Sequence, residues 1–216
     1  MIYLSHTSEF GHVYTRAEFD RLCDWAQRRE LAVYVDGARM ASALAAEASD
    51  LDLAHIAARA DAFTLGGTKA GMLFGEALVV NPRSARGRRA IERIPYLTKR
   101  AGHLSAKGRL MGVQFEAAFT PGADGSLPYL AHAARANACA VALARGLEGL
   151  GFEPYIRTAG NQQFFWCTRM QAERLSCACG AEITYIGGRP VARFVTSWAT
   201  TADHVEELLA FARELR

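Results

Sequence analysis

Four short apolar runs lie within the first 80 residues, at positions 2–4, 32–35, 62–65 and 77–80. Between the first three runs, apolar spacing predicts helices over about 15–29, 38–46 and 53–59. The first of these helices begins with a capping box formed by Thr15 and Glu18. Because strands that alternate with helices form crossover units, we predict an α/β fold with a mainly parallel sheet.

The pattern changes after Pro82, where helices outweigh strands. Long helices are predicted over about 105–119 and 130–150, and a last helix follows a second capping box at 200–203. Short strands are predicted at 164–167, 183–185 and 191–197. A loop rich in glycine and proline lies between them at 120–128. We therefore predict two domains, residues 1–120 and a small α+β domain at 121–216.

Composition narrows the classes of function. Half of the 216 residues are apolar and 22% are charged, which is typical of a folded protein with a sizeable core. The net charge of +3 is too small to indicate a nucleic-acid partner, and the basic stretch at 83–109 is interpreted as a solvated face. The five cysteines match no zinc spacing, so we expect no metal and a reduced, cytoplasmic protein. No apolar run is long enough to predict a membrane span.

Two segments at the ends of neighbouring predicted strands carry reactive side chains. Asp36-Gly-Ala-Arg39 follows one strand, and Gly66-Gly-Thr-Lys69 follows the next. Ligands bind at the carboxyl ends of parallel strands, and an aspartate and a lysine there suit pyridoxal phosphate (PLP). The lysine forms a Schiff base, and the carboxylate pairs with the pyridinium nitrogen. Each segment also has a simpler interpretation, because Asp-Gly is a common turn and a lysine after a loop is usually solvated.

Several further motifs occur in a fixed order along the chain. They are Val35 to Arg39, Asp61 to Gly71, Gly75 to Val80, Ser8 to Tyr14, Ala106 to Arg109, Gln114-Phe115 and Arg193 to Ser197. Together they resemble the threonine-aldolase and β-eliminating lyase family of fold type I PLP enzymes. The resemblance covers nearly the whole chain. It implies a partial large domain of the aspartate-aminotransferase-like fold, followed by the small C-terminal domain.

The resemblance also implies a role for individual residues. Lys69 would form the Schiff base, Asp36 would pair with the pyridinium nitrogen, and Arg39 would contact the phenolic oxygen of the cofactor. Arg193 would bind the substrate carboxylate, because a planar guanidinium can donate two parallel hydrogen bonds. The other implied contacts are Gly66, Gly67 and Thr68 with the cofactor phosphate, Ser8 and Glu9 with the substrate, and Lys107 and Arg109 with the site of a neighbouring subunit.

The implied reaction is cleavage of the Cα–Cβ bond of a β-hydroxy-amino acid, such as threonine or allo-threonine, to glycine and an aldehyde. The implied assembly is a homodimer or homotetramer. Threonine aldolases carry a histidine after the first of these strands, whereas the nearest match here is Ser8-Glu9. We expect the nearby His6 and His12 to be satisfied loop residues. A β-eliminating lyase or a racemase on the same cofactor therefore stays open as an alternative.

A second departure from the family concerns length. Family members have a long segment before the position of Met1, which supplies a phosphate loop and the group that stacks on the cofactor ring. We therefore expect this chain to be the C-terminal portion of an enzyme, inactive alone and dependent on a missing N-terminal half. A non-catalytic fragment that keeps the fold without binding the cofactor is the remaining alternative.

Overall fold

The structure, a computed structural model, describes residues 1–215 and contains two four-stranded sheets with helices packed against them. The strands are β1 (Ile2–Ser5), β2 (Val33–Asp36), β3 (Ala62–Gly66), β4 (Glu76–Val80), β5 (Pro154–Ile156), β6 (Gln162–Trp166), β7 (Glu182–Ile186) and β8 (Arg189–Val195). The helices are α1 (Arg16–Gln27), α2 (Met40–Leu44), α3 (Leu53–Arg59), α4 (Ala85–Arg100), α5 (Arg109–Phe119), α6 (Pro128–Gly149), α7 (Arg169–Cys179) and α8 (Ala202–Arg213). The predicted α/β class is confirmed.

The first sheet has the order β1-β2-β3-β4. Strands β1, β2 and β3 are parallel, and β4 pairs with β3 in the antiparallel direction, so the sheet is mainly parallel as predicted. One face packs on α1 and α3 through buried apolar side chains, among them Leu4, Val35 and Phe63. Since side chains alternate along a strand, the intervening residues Tyr3 and Asp36 lie on the opposite face.

Helix α1 confirms the local prediction in detail. Thr15 accepts a hydrogen bond from the Glu18 amide, and the Glu18 carboxylate accepts one from the Thr15 amide at 2.8 Å. Phe19, Cys23 and Ala26 are buried against the first sheet, at the spacing of one helical face. The cap and the apolar face together fix where α1 starts and how it packs, and hence where β2 begins.

The second sheet has the order β5-β6-β8-β7, and its neighbouring strands are antiparallel. One face forms a core with α6, α7 and α8 that includes Leu143, Phe165, Leu175 and Phe194. Helix α6 packs on α8 at one side and on α2 at the other, so it joins the two sheets. The boundary predicted at residue 120 falls between α5 and α6 and stays a prediction.

Three elements were not predicted: α4, α7 and β5. Helix α4 contains Pro95, a residue that disfavours a helix interior, although its apolar residues Ile91, Ile94 and Leu97 recur at helical spacing. Helix α5 begins at Arg109, four residues later than predicted from Ser105. The second capping box also lies one residue further along than predicted, because Thr201 caps α8 and bonds with His204.

The ends of β2 and β3 are held together at two glycines. The Gly66 N–H donates to the Gly37 carbonyl at 3.0 Å, and the Gly37 N–H donates to the Thr64 hydroxyl at 2.9 Å. A Cβ atom on Gly37 would lie 1.8 Å from the Thr64 carbonyl oxygen, and one on Gly66 would lie 2.7 Å from the Ala38 carbonyl oxygen. Only glycine leaves space for these two backbones to approach.

This close approach predicts that Gly37→Ala lowers the free energy of unfolding by about 3 kcal/mol or more, at or above the usual range for overpacking. The loss would be measured by urea denaturation. Gly149→Ala is the matched control, because a Cβ atom there meets nothing within 4 Å. In a helix that change is expected to stabilise by less than about 1 kcal/mol. Equal stabilities of the Gly37→Ala variant and the parent would contradict the geometry at this junction.

Candidate active site

The structure brings Asp36 and Lys69 to the same edge of the first sheet. Asp36 is the last residue of β2, and Lys69 lies in a single 3-10 turn, Thr68–Ala70, that follows β3. Because β2 and β3 are parallel, both segments leave the sheet at its carboxyl edge. The glycine junction between these strand ends then holds the two segments side by side.

Asp36 is held by two hydrogen bonds. Its Oδ1 accepts from the Ala38 N–H at 2.9 Å, and its Oδ2 accepts from the Tyr3 hydroxyl. The Tyr3 ring stacks on Tyr34, with ring centroids 5.5 Å apart. The hydrogen bond to Asp36 is the main cause that raises the pKa of Tyr3 to about 12. Sequence reasoning missed Tyr3, although its side chain shares the β1–β2 face with Asp36.

Lys69 has a pKa below the ordinary value for lysine. Partial removal from water is the largest cause, and the positive charges of Arg39 and Arg193 add to it. The negative charges of Asp36 and Glu9 act in the opposite direction. At a given pH a larger fraction of Lys69 is therefore the neutral amine, which is the form that attacks a carbonyl.

Arg39 precedes α2 and is half-buried beside Lys69. Burial, followed by the charge of Arg193, lowers the pKa of its guanidinium. Its Nε atom is buried and has no hydrogen-bond partner among residues 1–215. Leaving a buried donor unsatisfied costs roughly 1–3 kcal/mol, so this atom is suited to an acceptor supplied by a ligand.

Arg193 lies in β8, an interior strand of the second sheet, with β6 on one side and β7 on the other. Its cross-strand neighbours are Phe164 on β6 and Glu182 on β7. The Arg193 Nη2 forms an ion pair with the Glu182 carboxylate, whereas its Nε is buried without a partner in the described part of the chain. Sequence reasoning identified Arg193 and missed Glu182.

A small cavity between Arg39 and Lys69 is also lined by Ser42 and Asn161. Asn161 directly precedes β6 and forms hydrogen bonds with α2 and with the residue after β8. Its N–H donates to the Ser42 hydroxyl at 3.1 Å, and its side-chain amide donates to the Thr196 carbonyl at 2.7 Å. These buried bonds connect α2, which Arg39 precedes, to the end of β8, which carries Arg193.

The three residues predicted to contact a phosphate differ in their surroundings. The Gly66 N–H donates to the Gly37 carbonyl, and the Gly67 N–H donates to the Gly75 carbonyl at 3.0 Å. Both amides therefore serve the turn itself. Thr68 is exposed next to Lys69, so it is the most accessible of the three residues. A phosphate contact at this turn stays a prediction.

The remaining predicted site residues fall into two groups. Ser8 and Glu9 lie in the loop after β1, where the Ser8 hydroxyl accepts from the His12 N–H at 3.0 Å and Glu9 acts electrostatically on Lys69. Lys107 and Arg109 are exposed at the start of α5. Neither of these two is among the charges that shift the pKa of Lys69. A cross-subunit role for them stays a prediction.

The two loop histidines have different environments. His12 lies 3.4 Å from the Glu18 carboxylate and is partnered as expected. His6 is buried, and neither of its ring nitrogens has a hydrogen-bond partner among residues 1–215, so the expectation of a satisfied residue is wrong for it. Burial, with a smaller contribution from His12, lowers the pKa of His6 to about 4. His6 is therefore neutral at pH 7.

Within residues 1–215, no three or more histidine, cysteine or acidic side chains are grouped so that they could hold a metal ion. Over the same residues, no helix has the length and apolar character needed to cross a membrane.

Comparison with curated proteins identifies relatives along the whole chain. The low specificity L-threonine aldolase of a Pseudomonas species is 29% identical over 214 residues, which is 99% of this chain and 59% of the relative. The protein of the same name from Pseudomonas aeruginosa is 29% identical over 217 residues and is covered to the same 59%. The chain thus spans about three fifths of the length of these curated relatives.

Solved structures agree with this match. The Leishmania major threonine aldolase aligns with a TM-score of 0.86 and 32% identity, over 99% of this chain and 60% of that one. Oryza sativa TDC, solved with PLP, aligns with a TM-score of 0.62 at 16% identity, which shows the fold alone. These matches confirm the predicted partial aspartate-aminotransferase-like fold. Since the family model for the β-eliminating lyases matches residues 1–208, the chain belongs to the β-eliminating lyase family.

Proposed function

We propose that the enzyme containing this chain is a PLP-dependent lyase that cleaves the Cα–Cβ bond of a β-hydroxy-amino acid. The observation that carries the proposal is the placement of Lys69 and Asp36 at one sheet edge, with Arg39 and Arg193 acting on Lys69. The names of the relatives, L-threonine aldolase, supply the substrate class, which we propose to be threonine or allo-threonine.

The residues present fit a PLP cofactor. Lys69 has a depressed pKa, as suits a lysine that attacks an aldehyde. Asp36 presents a carboxylate that a ring nitrogen can share, and Arg39 offers a buried Nε donor without a partner in the described chain. When bound, PLP supplies an electron sink for the carbanion left by bond cleavage. The family of this chain and the PLP-bound protein of the same fold add to this proposal.

Each side chain then has a distinct task. Lys69 Nζ would hold the cofactor covalently and exchange it for the substrate amine. The Asp36 carboxylate would keep a proton on the ring nitrogen, and the Tyr3 hydroxyl would orient that carboxylate. Arg193 would orient the substrate through its carboxylate, because a fork of N–H donors fixes both position and direction. Glu9 and Ser8 would lie on the substrate side of the site.

Other reactions on the same cofactor remain as second candidates. A β-eliminating lyase or a racemase needs the same lysine and carboxylate, and the family that matches this chain bears the first of these names. Ser8-Glu9 stands where threonine aldolases carry a histidine, and this difference favours the β-eliminating lyase and the racemase as alternatives. A non-catalytic fragment is the candidate that needs no cofactor.

We also propose a cytoplasmic location, which the five free thiols support.

If Lys69 holds the cofactor, borohydride treatment of the chain in excess PLP should fix the label on Lys69. Its lowered pKa leaves more of Lys69 as the neutral amine that attacks the PLP aldehyde. Peptide mass spectrometry locates the label. Lys99 and Lys107 serve as internal controls, and Lys69→Arg should abolish the specific label. A label confined to Lys99 or Lys107 would remove Lys69 from the site.

The reaction itself is tested with threonine, serine, cysteine and alanine in parallel. We expect this chain alone to be inactive. A chimera that adds the part of the Pseudomonas relative not matched by this chain should release glycine and acetaldehyde from threonine. Lys69→Ala in the chimera should reduce turnover by at least about a thousandfold, because the covalent step is lost. Pyruvate from serine or cysteine would favour β-elimination, and inversion of alanine would favour a racemase.

We further propose that the chain forms a homo-oligomer through an apolar patch next to the site. Leu73 lies three residues after the Lys69 turn and is 84% exposed, and its N–H donates to the Gln114 side-chain oxygen on α5 at 2.8 Å. Leu104, Leu110 and Val113 are also more than half exposed around the start of α5. Large exposed apolar patches of this kind mark interaction surfaces. A segment equivalent to the part of the relatives that this chain does not match is the alternative occupant.

The patch predicts that Leu73→Glu shifts the oligomer toward monomer. A buried carboxylate without a partner is costly, so the dissociation constant should rise at least about tenfold. Light scattering coupled to gel filtration measures the mass as a function of concentration. Met170→Glu, on α7 and 60% exposed, is the matched control and should leave the mass unchanged. A monomeric parent protein would contradict the homo-oligomer.

A further inference from the structure

The guanidinium of Arg193 is bonded by a carboxylate of this same chain. Glu182 is the first residue of β7 and lies directly opposite Arg193 in the antiparallel pairing of β7 with β8. Its Oε2 forms an ion pair with the Arg193 Nη2. Arg193, which we propose to bind the substrate carboxylate, is therefore already in contact with the carboxylate of Glu182.

The atom that Glu182 contacts matters. A guanidinium binds a carboxylate with two parallel hydrogen bonds along one of two edges, formed either by Nε and Nη2 or by Nη1 and Nη2. Nη2 belongs to both edges. The Arg193 Nε is buried and has no partner among residues 1–215, so the contact with Glu182 does not use the full Nε–Nη2 fork. Nη2 has one N–H on each edge, so Glu182 takes up one edge, and a second carboxylate can form a full two-bond fork only along the other.

The exposure of the two side chains allows Glu182 to be replaced at Arg193 by another carboxylate. The Glu182 side chain is 60% exposed, whereas that of Arg193 is only 26% exposed. Ion pairs with an exposed partner contribute little to stability, because water competes for the carboxylate and its side chain loses freedom when it is held. Glu182 can therefore leave Arg193 for solvent at small cost, while the guanidinium stays where it is.

We propose that Glu182 is a specificity-determining residue that competes with the carboxylate of a ligand for Arg193. This inference rests on the proposed role of Arg193. A monocarboxylate has to displace Glu182 from Nη2 or share Arg193 with it. A ligand with a second carboxylate meets the negative charge of Glu182 as well, and Glu9 adds a further negative charge at the site. The site would thus favour amino acids with neutral side chains over acidic ones.

The test titrates the chain, labelled with 15N-arginine, with acetate and with succinate. The Nε–Hε signal of Arg193, assigned by its loss in Arg193→Lys, reports binding at this residue. Glu182→Gln keeps the size of the side chain and removes its charge. It should lower the dissociation constant for acetate about fivefold and that for succinate by about tenfold or more, since exposed ion pairs and like-charge contacts are of this order.

Two controls separate the possible failures. Glu153→Gln removes the exposed carboxylate that pairs with Arg189 at 3.5 Å on the same sheet, and it should change neither constant. In Arg193→Gln, the Nε–Hε signal of Arg39 serves as the reporter, and acetate binding should be lost. If acetate binds Arg193→Gln as well as the parent, or binds neither the parent nor Glu182→Gln, Arg193 is no carboxylate site and the proposed function loses that element. If Arg193→Gln loses binding but Glu182→Gln binds no more tightly than the parent, the role of Glu182 alone is overturned.

Discussion

The main-chain hydrogen bond from Gly66 to Gly37 is the constraint on which the site depends. It joins the carboxyl ends of two parallel strands at 3.0 Å, at a point where neither residue can carry a Cβ atom. Asp36 immediately precedes this junction, and Lys69 follows it by three residues. Their spacing is therefore fixed by backbone contacts rather than by their own side chains. That arrangement places the carboxylate and the amine at one edge of the sheet.

Positively charged side chains cluster around this junction. Burial and the charges of Arg39 and Arg193 lower the pKa of Lys69, and burial and the charge of Arg193 lower the pKa of Arg39. The two arginines carry buried Nε donors that have no acceptor within residues 1–215. Asp36, Glu9 and Glu182 offset part of the charge. A ligand with acidic groups would satisfy these donors and relieve the repulsion, which is what a phosphate and a carboxylate offer.

Local signals made the first sheet predictable. Strands β1 to β4 and helices α1 and α3 were predicted close to their observed bounds, because apolar runs, turn glycines and a capping box are properties of adjacent residues. Asp36 and Lys69 could be paired in advance because parallel strands end at a common edge. Tyr3 and Glu182 could not, since their contacts depend on which residues face each other across strands, and no local pattern encodes that register. Helices α4 and α7 did carry local signals that were missed, namely an apolar spacing interrupted by Pro95 in α4 and a capping box at Thr168 and Gln171 in α7.

The position of Arg193 depends on contacts far from its own strand. Ser42 on α2 bonds to Asn137 on α6 at 2.8 Å and accepts from the Asn161 N–H, while Asn161 bonds onward to the end of β8. Apolar contacts would let two sheets slide, whereas buried hydrogen bonds lose strength steeply when their angles change. Helix α2 has only five residues and begins directly after Arg39. This short helix therefore fixes the position of Arg39 beside the first sheet. Through the same chain of hydrogen bonds it also positions the end of β8, the strand of the second sheet that carries Arg193.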